Sequence, residues 1–385
     1  MKTKKIYLDY AATTPADPQV VKAMSPYFTN VFGNTASLHG FGAEAKAAVD
    51  ASRKIIADAL KASAREIYFT SSATESNNWA LKGIAWANKD KKHIIISSVE
   101  HDCVLTSAAW LERQGWQLTL LPVDKNGMVN PADVAKAIRP DTLLVSVMHA
   151  NNEIGTINPI GEIGKICRER DVYFHTDAAQ TFGKLPIDVN RLDIDLLTAS
   201  AHKLYGSKGA ALLYVRTGVR IQPLLHGGGH EGGLRSSTLN VPAIVGFAEA
   251  TKICLSAMKE ENVRLEKLRD KLIAGVLKAI PNAHLNGHPK KRLPNNAHFR
   301  FDHIEGEALI MMLDNLGIAA STASACSSPK LQPSHVLLAC GLRPQDAHGS
   351  LRLSLGRWTT EAEIDRVLEV LPGIVEKLRK ISPFK

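Results

Sequence analysis

Short apolar runs alternate along this chain with longer segments whose apolar positions recur every three or four residues. EIYFT (66–70), HIIISS (93–98), QLTLLP (117–122), TLLVSVM (142–148), VYFHT (172–176), IDLLT (194–198) and AALLYV (210–215) read as strands. Several are apolar almost throughout, the pattern of a sheet covered on both faces. Between them, FGAEAKAAVDASRKIIADALKAS (41–63) and EIGKICRERD (162–171) read as helices. Strand alternating with helix predicts an α/β fold with a large, mostly parallel sheet. After about Ala250 the pattern changes. A charged helix is predicted over 256–280, then shorter mixed elements, then a closing helix over 361–381. The expected division is a large domain at 15–255 and a smaller α+β domain made of 1–14 plus 256–385. The chain shows no internal repeat and no low-complexity tract.

A length of 385 residues suits two such domains. The net charge of +9 is spread over short clusters, KTKK (2–5), KDKK (89–92) and HPKKR (288–292). None has interleaved aromatics, so direct nucleic-acid binding is not expected. The N-terminus lacks the apolar run of a signal peptide, and no stretch reads as a membrane span. A soluble, cytoplasmic protein is the expectation. Five cysteines, odd in number and without a C-x-x-C pair, argue against a disulfide framework and against a zinc site. Cys167, Cys254 and Cys340 lie in helical patterns and read as packing residues. Cys103 stands beside His101 with no evident role. Cys326 differs: it sits in STASACSSPKLQPS (321–334), whose small polar residues and prolines predict a loop. A thiol near solvent is a reactive liability unless it has work to do.

Other residues suggest that work. Lys203, in TASAHKLYGSKG (198–209), follows a predicted buried strand, and ligands in open α/β sheets sit beyond the carboxyl ends of strands. Asp177, in VYFHTDAAQ, comes off a strand end as well. A strand-end Asp followed by a strand-end Ser-x-His-Lys suggests pyridoxal phosphate (PLP). That cofactor needs a lysine for its Schiff base and a carboxylate to keep its pyridine nitrogen protonated. TSSATESN (70–77) offers hydroxyls at a helix start, an anion cradle led by Thr74, although helix capping explains the same residues. Ser200 and His202 can complete it. His101 follows another strand, where an imidazole can stack on the ring and move protons near neutral pH. The amide of Asn152 can bond the ring oxygen or the substrate, and Arg352 can grip a substrate carboxylate with a two-pronged pair.

These segments resemble the NifS/IscS-type cysteine desulfurases of the class V aminotransferase family, which are fold-type I PLP enzymes. The matching stretches run almost end to end: YLDYAATTP (7–15), FGN and ASLHGFG (32–42), SATESNN (72–78), VEHDCVL (99–105), MHANNEIG (148–155), HTDAAQ (175–180), SAHKLYGSKG (200–209), HGGGHEGGLRSSTLNVP (226–242), STASACSS (321–328) and LRLSLGRWTT (351–360). The resemblance implies that Lys203 carries the cofactor, Asp177 pairs with its pyridine nitrogen, Gln180 bonds the ring oxygen and His101 stacks on the ring. It implies that Ala73, Thr74, Ser200 and His202 hold the phosphate, with Thr238 reaching in from the partner subunit of a homodimer. Asn34, Asn152 and Arg352 then bind substrate, and Cys326 accepts sulfur. Four loop positions depart from the family pattern. Thr35 and Ser207 replace prolines, and Ser72 and Ser237 replace glycines, but none of these removes a catalytic group. The chain ends at ISPFK, short of the tail of the housekeeping form, which favours a NifS-like or specialised enzyme.

The implied reaction converts L-cysteine to L-alanine and leaves the sulfur on Cys326 as a persulfide. The sulfur then passes by thiol exchange to an acceptor protein, an iron-sulfur scaffold or a sulfur carrier for thiolation of RNA, DNA or cofactors. Cys326 is also a candidate transient ligand to a cluster shared with a scaffold; no resident metal is expected. Two alternatives stay open: another class V enzyme, an aminotransferase or selenocysteine lyase, and a non-catalytic interaction protein on the same fold.

Overall fold

The computed structural model describes residues 5–322 and 333–382. Among them are twelve strands. In chain order these are β1 (Ile6–Tyr7), β2 (Ile67–Thr70), β3 (His93–Ser97), β4 (Gln117–Leu121), β5 (Thr142–Ser146), β6 (Tyr173–Asp177), β7 (Leu196–Ser200), β8 (Ala211–Val215), β9 (Ala283–Asn286), β10 (Asn296–Phe301), β11 (Ile318–Ala319) and β12 (Ser350–Ser354). Seven form the main sheet in the order β2-β8-β7-β6-β5-β3-β4. All pairings are parallel except those of β8, which runs antiparallel to β7 and β2. Strands β3, β5, β7 and β8 are buried along their whole length, which is why they read as unbroken apolar runs. Edge strand β4 instead keeps Gln117 and Leu120 exposed. The mostly parallel α/β sheet predicted from the pattern is therefore present, with boundaries within two residues of those expected.

A second, antiparallel sheet has the order β12-β10-β9, and β1 pairs in parallel with β11. Its core gathers Leu8, Phe299, Phe301, Leu351 and Leu353 with the helices Gly306–Asp314 and Glu361–Ile381. The closing helix has the predicted bounds, fixed at its start by the reciprocal Thr360–Glu363 capping box.

The helix expected over 256–280 is Val241–Ala279, fifteen residues longer at its start. Its first half, VPAIVGFAEATKICL, is apolar on most faces and lacks the charged stripe that marks an amphipathic helix. Asn240 caps it, accepting the Ala243 N–H at 3.2 Å, and Pro242 sits in its first turn. Phe247 and Cys254 join the core under the main sheet, and Leu265, Leu268 and Leu272 join the other core. One helix thus spans both cores. An 18-residue window of it reaches a mean hydropathy of 1.4, long and apolar enough to cross a membrane by composition. This corrects the expectation that no stretch approaches that length; half of the window is buried within the protein. Cys167 and Cys254 are packing residues as expected, while Cys340 is only partly buried, against Val99, Ile154, Val336 and Leu337.

Candidate active site

The carboxyl ends of the parallel strands converge on one region. Asp177 is the last residue of β6, and Ser200 is the last of its neighbour β7. A 3-10 turn, Ala201–Lys203, follows directly. Strand β2 leads through Ser72 into the helix Ala73–Ala87, β3 leads to His101, and β5 leads to Asn151, Asn152 and Glu153. Side chains far apart in sequence therefore meet because the strands are parallel and end on one edge.

The turn that carries Lys203 rests on the N-terminal segment. Lys203 Nζ donates to the carbonyls of Ala11 and Ala12, each at 2.7 Å, and Gln180 Nε2 donates to Ala11 O at 2.9 Å. Thr13 Oγ1 lies 3.1 Å from His202 Nδ1, and the Thr14 N–H donates to His202 O at 3.0 Å. Burial and the Lys203, Lys208 and Lys184 charges push the His202 imidazole down to about 4. Neutral at pH 7, its ring keeps one nitrogen as an acceptor.

Asp177 is 6% exposed. Its two oxygens accept the Ala179 N–H at 2.8 Å and Asn77 Nδ2 at 2.6 Å. Among the described residues no lysine or arginine forms an ion pair with it. A buried carboxyl group with only neutral donors around it has room for a cationic partner, which a protonated pyridine nitrogen supplies. The helix Ala73–Ala87 begins beside it. Ser72 caps this helix by accepting the Glu75 N–H at 3.1 Å, so the serine in place of the family glycine adds a cap. Ala73 and Thr74 form the first turn, where unpaired backbone N–H groups favour an anion. A lysine, a buried unpaired carboxylate and a helix start with a hydroxyl are the groups that PLP requires, and these residues fit it.

His101 caps the helix Asp102–Arg113; its Nδ1 accepts the Cys103 N–H at 3.2 Å. Arg352 on β12 reaches across from the second sheet. Its Nη2 meets Asp9 at 2.9 Å, its Nη1 donates to Asn152 O at 3.1 Å, and its buried Nε has no partner among the described residues. Its fork is thus already engaged by Asp9, a carboxylate that a substrate carboxylate has to displace or share. Asn34 and Thr238 are exposed and lie outside this hydrogen-bonded cluster; Asn34 turns its side chain to its own loop, accepting the Ala36 N–H. Cys326 lies outside the described residues.

Several groups at the site had no assigned role in the sequence. Glu100 is fully buried; its Oε1 accepts Ser97 Oγ at 2.6 Å and the Met148 N–H at 2.7 Å. Burial pushes its carboxyl up to about 8, so it is largely protonated at neutral pH. Glu153, up to about 7 through burial, accepts the hydroxyl of Ser334. Asn77, Cys103, Asp9 and the Ala11 and Ala12 carbonyls complete the surroundings. All but Ser97 and Ser334 lie inside the matching stretches, so their presence was visible there but their contacts were not.

Comparison with known proteins identifies the family. The aminotransferase class-V family profile matches residues 6–367. A cysteine desulfurase IscS of Methanosarcina thermophila is 56% identical, over all of this chain and 95% of that protein. A solved NifS-like protein superposes with a TM-score of 0.91 at 39% identity, over 97% of this chain and all of the other. SspA, solved in complex with cysteine, superposes at 0.81 with 37% identity, over 93% and 100% of the two chains. Membership of this fold-type I group implies PLP as cofactor. On the family match, the near-complete alignments and the grouping of Lys203 with Asp177 at adjacent strand ends, the chain belongs to the cysteine desulfurases of the class-V aminotransferase family.

Proposed function

We propose that this protein is a PLP-dependent cysteine desulfurase that takes sulfur from L-cysteine, releases L-alanine and passes the sulfur to an acceptor. The observation that carries the reading is the pairing of β6 and β7, which sets Asp177 and the Lys203 turn side by side at one sheet edge. When bound, PLP supplies an electron sink that labilises the Cα–H and then the Cβ–Sγ bond of cysteine. Asp177 keeps the ring nitrogen protonated, and Gln180 serves the ring oxygen. Ala73, Thr74, Ser200 and His202 hold the phosphate. Lys203, whose amine the Ala11 and Ala12 carbonyls orient, carries the cofactor and moves the Cα proton. His101 covers the ring, and Asn34, Asn152 and Arg352 hold the substrate. Cys326 attacks the substrate sulfur as a thiolate and keeps it as a persulfide, and exchange delivers it to a thiol of an iron-sulfur scaffold or a carrier for thiolation.

The reading includes a homodimer. Val21, Phe28, Phe32, Leu38 and Phe41 are exposed apolar side chains within a short stretch, the composition of a surface that a second copy covers. Thr238, exposed in one chain, then serves the partner's phosphate site. A large domain at 15–255 with the remainder as a small domain, and a reducing compartment such as the cytoplasm for the unpaired thiols, belong to the same reading.

The test supplies the purified, PLP-loaded protein with L-cysteine and a thiol reductant and measures alanine and sulfide. Equal amounts of both are expected. Lys203→Ala should abolish both, whereas Cys326→Ala should stay yellow and bind cysteine without forming a persulfide. Amino transfer to a keto acid without alanine would make it an aminotransferase instead.

A further inference from the structure

Cys103, beside His101, is left without a role by the reaction above, and so is Asn77. The structure joins them. Asn77 is fully buried on the helix Ala73–Ala87. Its Nδ2 donates to Asp177 Oδ2 at 2.6 Å and to Cys103 Sγ at 3.1 Å, while its Oδ1 is buried with no partner among the described residues. The amide cannot be turned around, because Oδ1 would then face a carboxylate oxygen at that distance. Cys103 Sγ lies 3.1 Å from His101 Nδ1. Burial and the Asp177 charge push the thiol up to about 12, so it keeps its hydrogen. The sulfur accepts from Asn77, with the Thr74 hydroxyl also against it, and donates to His101. Nδ1 of His101 also accepts the Cys103 N–H at 3.2 Å. With two donors aimed at Nδ1, the neutral ring carries its hydrogen on Nε2.

We propose that Asn77 is a positioning residue that fixes the Asp177 carboxylate and, through the Cys103 thiol, the tautomer of His101. The inference rests on the proposed roles of Asp177 and His101 at the cofactor. One helix then registers both ends of PLP: Thr74 in its first turn serves the phosphate, and Asn77, three residues on, orients the carboxylate at the ring nitrogen. His101 presents an N–H donor at Nε2, which stabilises negative charge on a substrate sulfur instead of removing its proton.

The experiment measures PLP dissociation constants by absorbance for Asn77→Ala, Asn77→Asp, Asp177→Ala and the Asn77→Ala/Asp177→Ala double variant. Thermal melts of each cofactor-free protein check folding. Losing a buried donor to a charged group is expected to weaken PLP binding roughly ten- to a hundredfold. Asn77→Asp, nearly the same shape, should do at least as much by placing like charge against Asp177. Once Asp177 is gone, Asn77→Ala should add nothing. If Asp177→Ala weakens binding while both Asn77 variants bind like wild type, or if the two losses add fully, the inference fails and the reading of Asp177 stands. If Asp177→Ala itself leaves binding unchanged, both fail. Nitrogen-15 spectra of labelled histidine read the second arm without activity. His101 should carry Nε2–H in wild type and Cys103→Ser, and the Nε2–H fraction should fall in Cys103→Ala, where the backbone N–H of residue 103 is the one donor left at Nδ1; an Nδ1–H ring in wild type, or an unchanged fraction in Cys103→Ala, overturns it.

Discussion

A carboxyl group sealed from water resists ionisation, and Glu100 shows the consequence for stability. Its carboxyl sits at about 8 in the folded chain against 4.5 when free, and burial is the largest cause. Between these values the folded state holds a proton that the unfolded state has released. Stability therefore falls as pH rises from about 4.5 to 8, by up to about 1.4 kcal/mol per pH unit. Glu100→Gln keeps the shape and the Oε1 acceptor for Ser97 and Met148 but cannot ionise. The variant should gain on wild type steadily as pH rises through that window, then by a constant margin above it. Urea unfolding at a series of pH values measures the difference. The same burial explains why Glu100 was silent in the sequence. VEHD reads as a polar loop, and only the packing of β3 against β5 encloses the first acid in it while leaving His101 at the site.

At the scale of elements, the sheet has to end somewhere, and β2 is an edge. Its outward backbone groups are taken by one ion pair. Glu231 Oε2 accepts the Phe69 N–H at 2.8 Å, Arg53 donates to the Ile67 carbonyl, and Arg53 Nη1 meets Glu231 Oε2 at 2.9 Å. The pair covers an edge that otherwise invites another strand, and it docks the segment that leads to Thr238. A second pair, Arg235 with Glu75 at 2.7 Å, ties that segment to the helix holding Thr74. Arg53→Met strands the Glu231 charge and is expected to cost about 3 kcal/mol. Arg53→Met/Glu231→Gln should recover part of this in the same urea titration, because the glutamine oxygen still accepts from Phe69. Arg53 lies in the helix predicted over 41–63 and Glu231 in the glycine-rich stretch HGGGHEGG, 178 residues on, so nothing local linked them.

At the scale of the whole molecule, Arg357 binds the two cores together. Its Nη1 meets Asp17 and its Nε meets Glu261, each at 2.9 Å, and its guanidinium lies 4.3 Å from the centre of the Tyr205 ring. Its backbone N–H donates to Tyr205 Oη at 2.7 Å. Tyr205 is two residues beyond Lys203 and holds φ +64, a left-handed backbone that a tyrosine adopts only under constraint. The Thr14 hydroxyl, accepting the Tyr205 N–H at 2.9 Å, adds to that constraint. Arg357→Ala leaves Asp17 and Glu261 without their cation and should lower the unfolding free energy by about 3–5 kcal/mol. Calorimetry of the variant should also show a lower and broader transition than wild type, because one of the links between the cores is lost. Arg357→Lys keeps the charge without the fork and should restore only part.

The sequence by itself determined most of the elements, the family and the candidates for the chemistry. Strands inside a covered sheet are mostly apolar and helices buried on one face carry a stripe, so β2 to β8 and the closing helix were readable from pattern alone. Lys203, Asp177, His101 and Cys326 stood out as candidates because few other positions combine such residue types with strand ends or a small-residue loop. Pattern failed at the first half of Val241–Ala279, where a helix buried on most sides has no stripe to show. Only the tertiary structure decided how the residues meet. It brought the Ala11 and Ala12 carbonyls to Lys203, Asp9 to Arg352, and Asn77 and Cys103 between Asp177 and His101. Those contacts join segments up to hundreds of residues apart. A carbonyl or a neutral amide has no sequence signature of its own; it acquires a role from the charged group that folding places beside it.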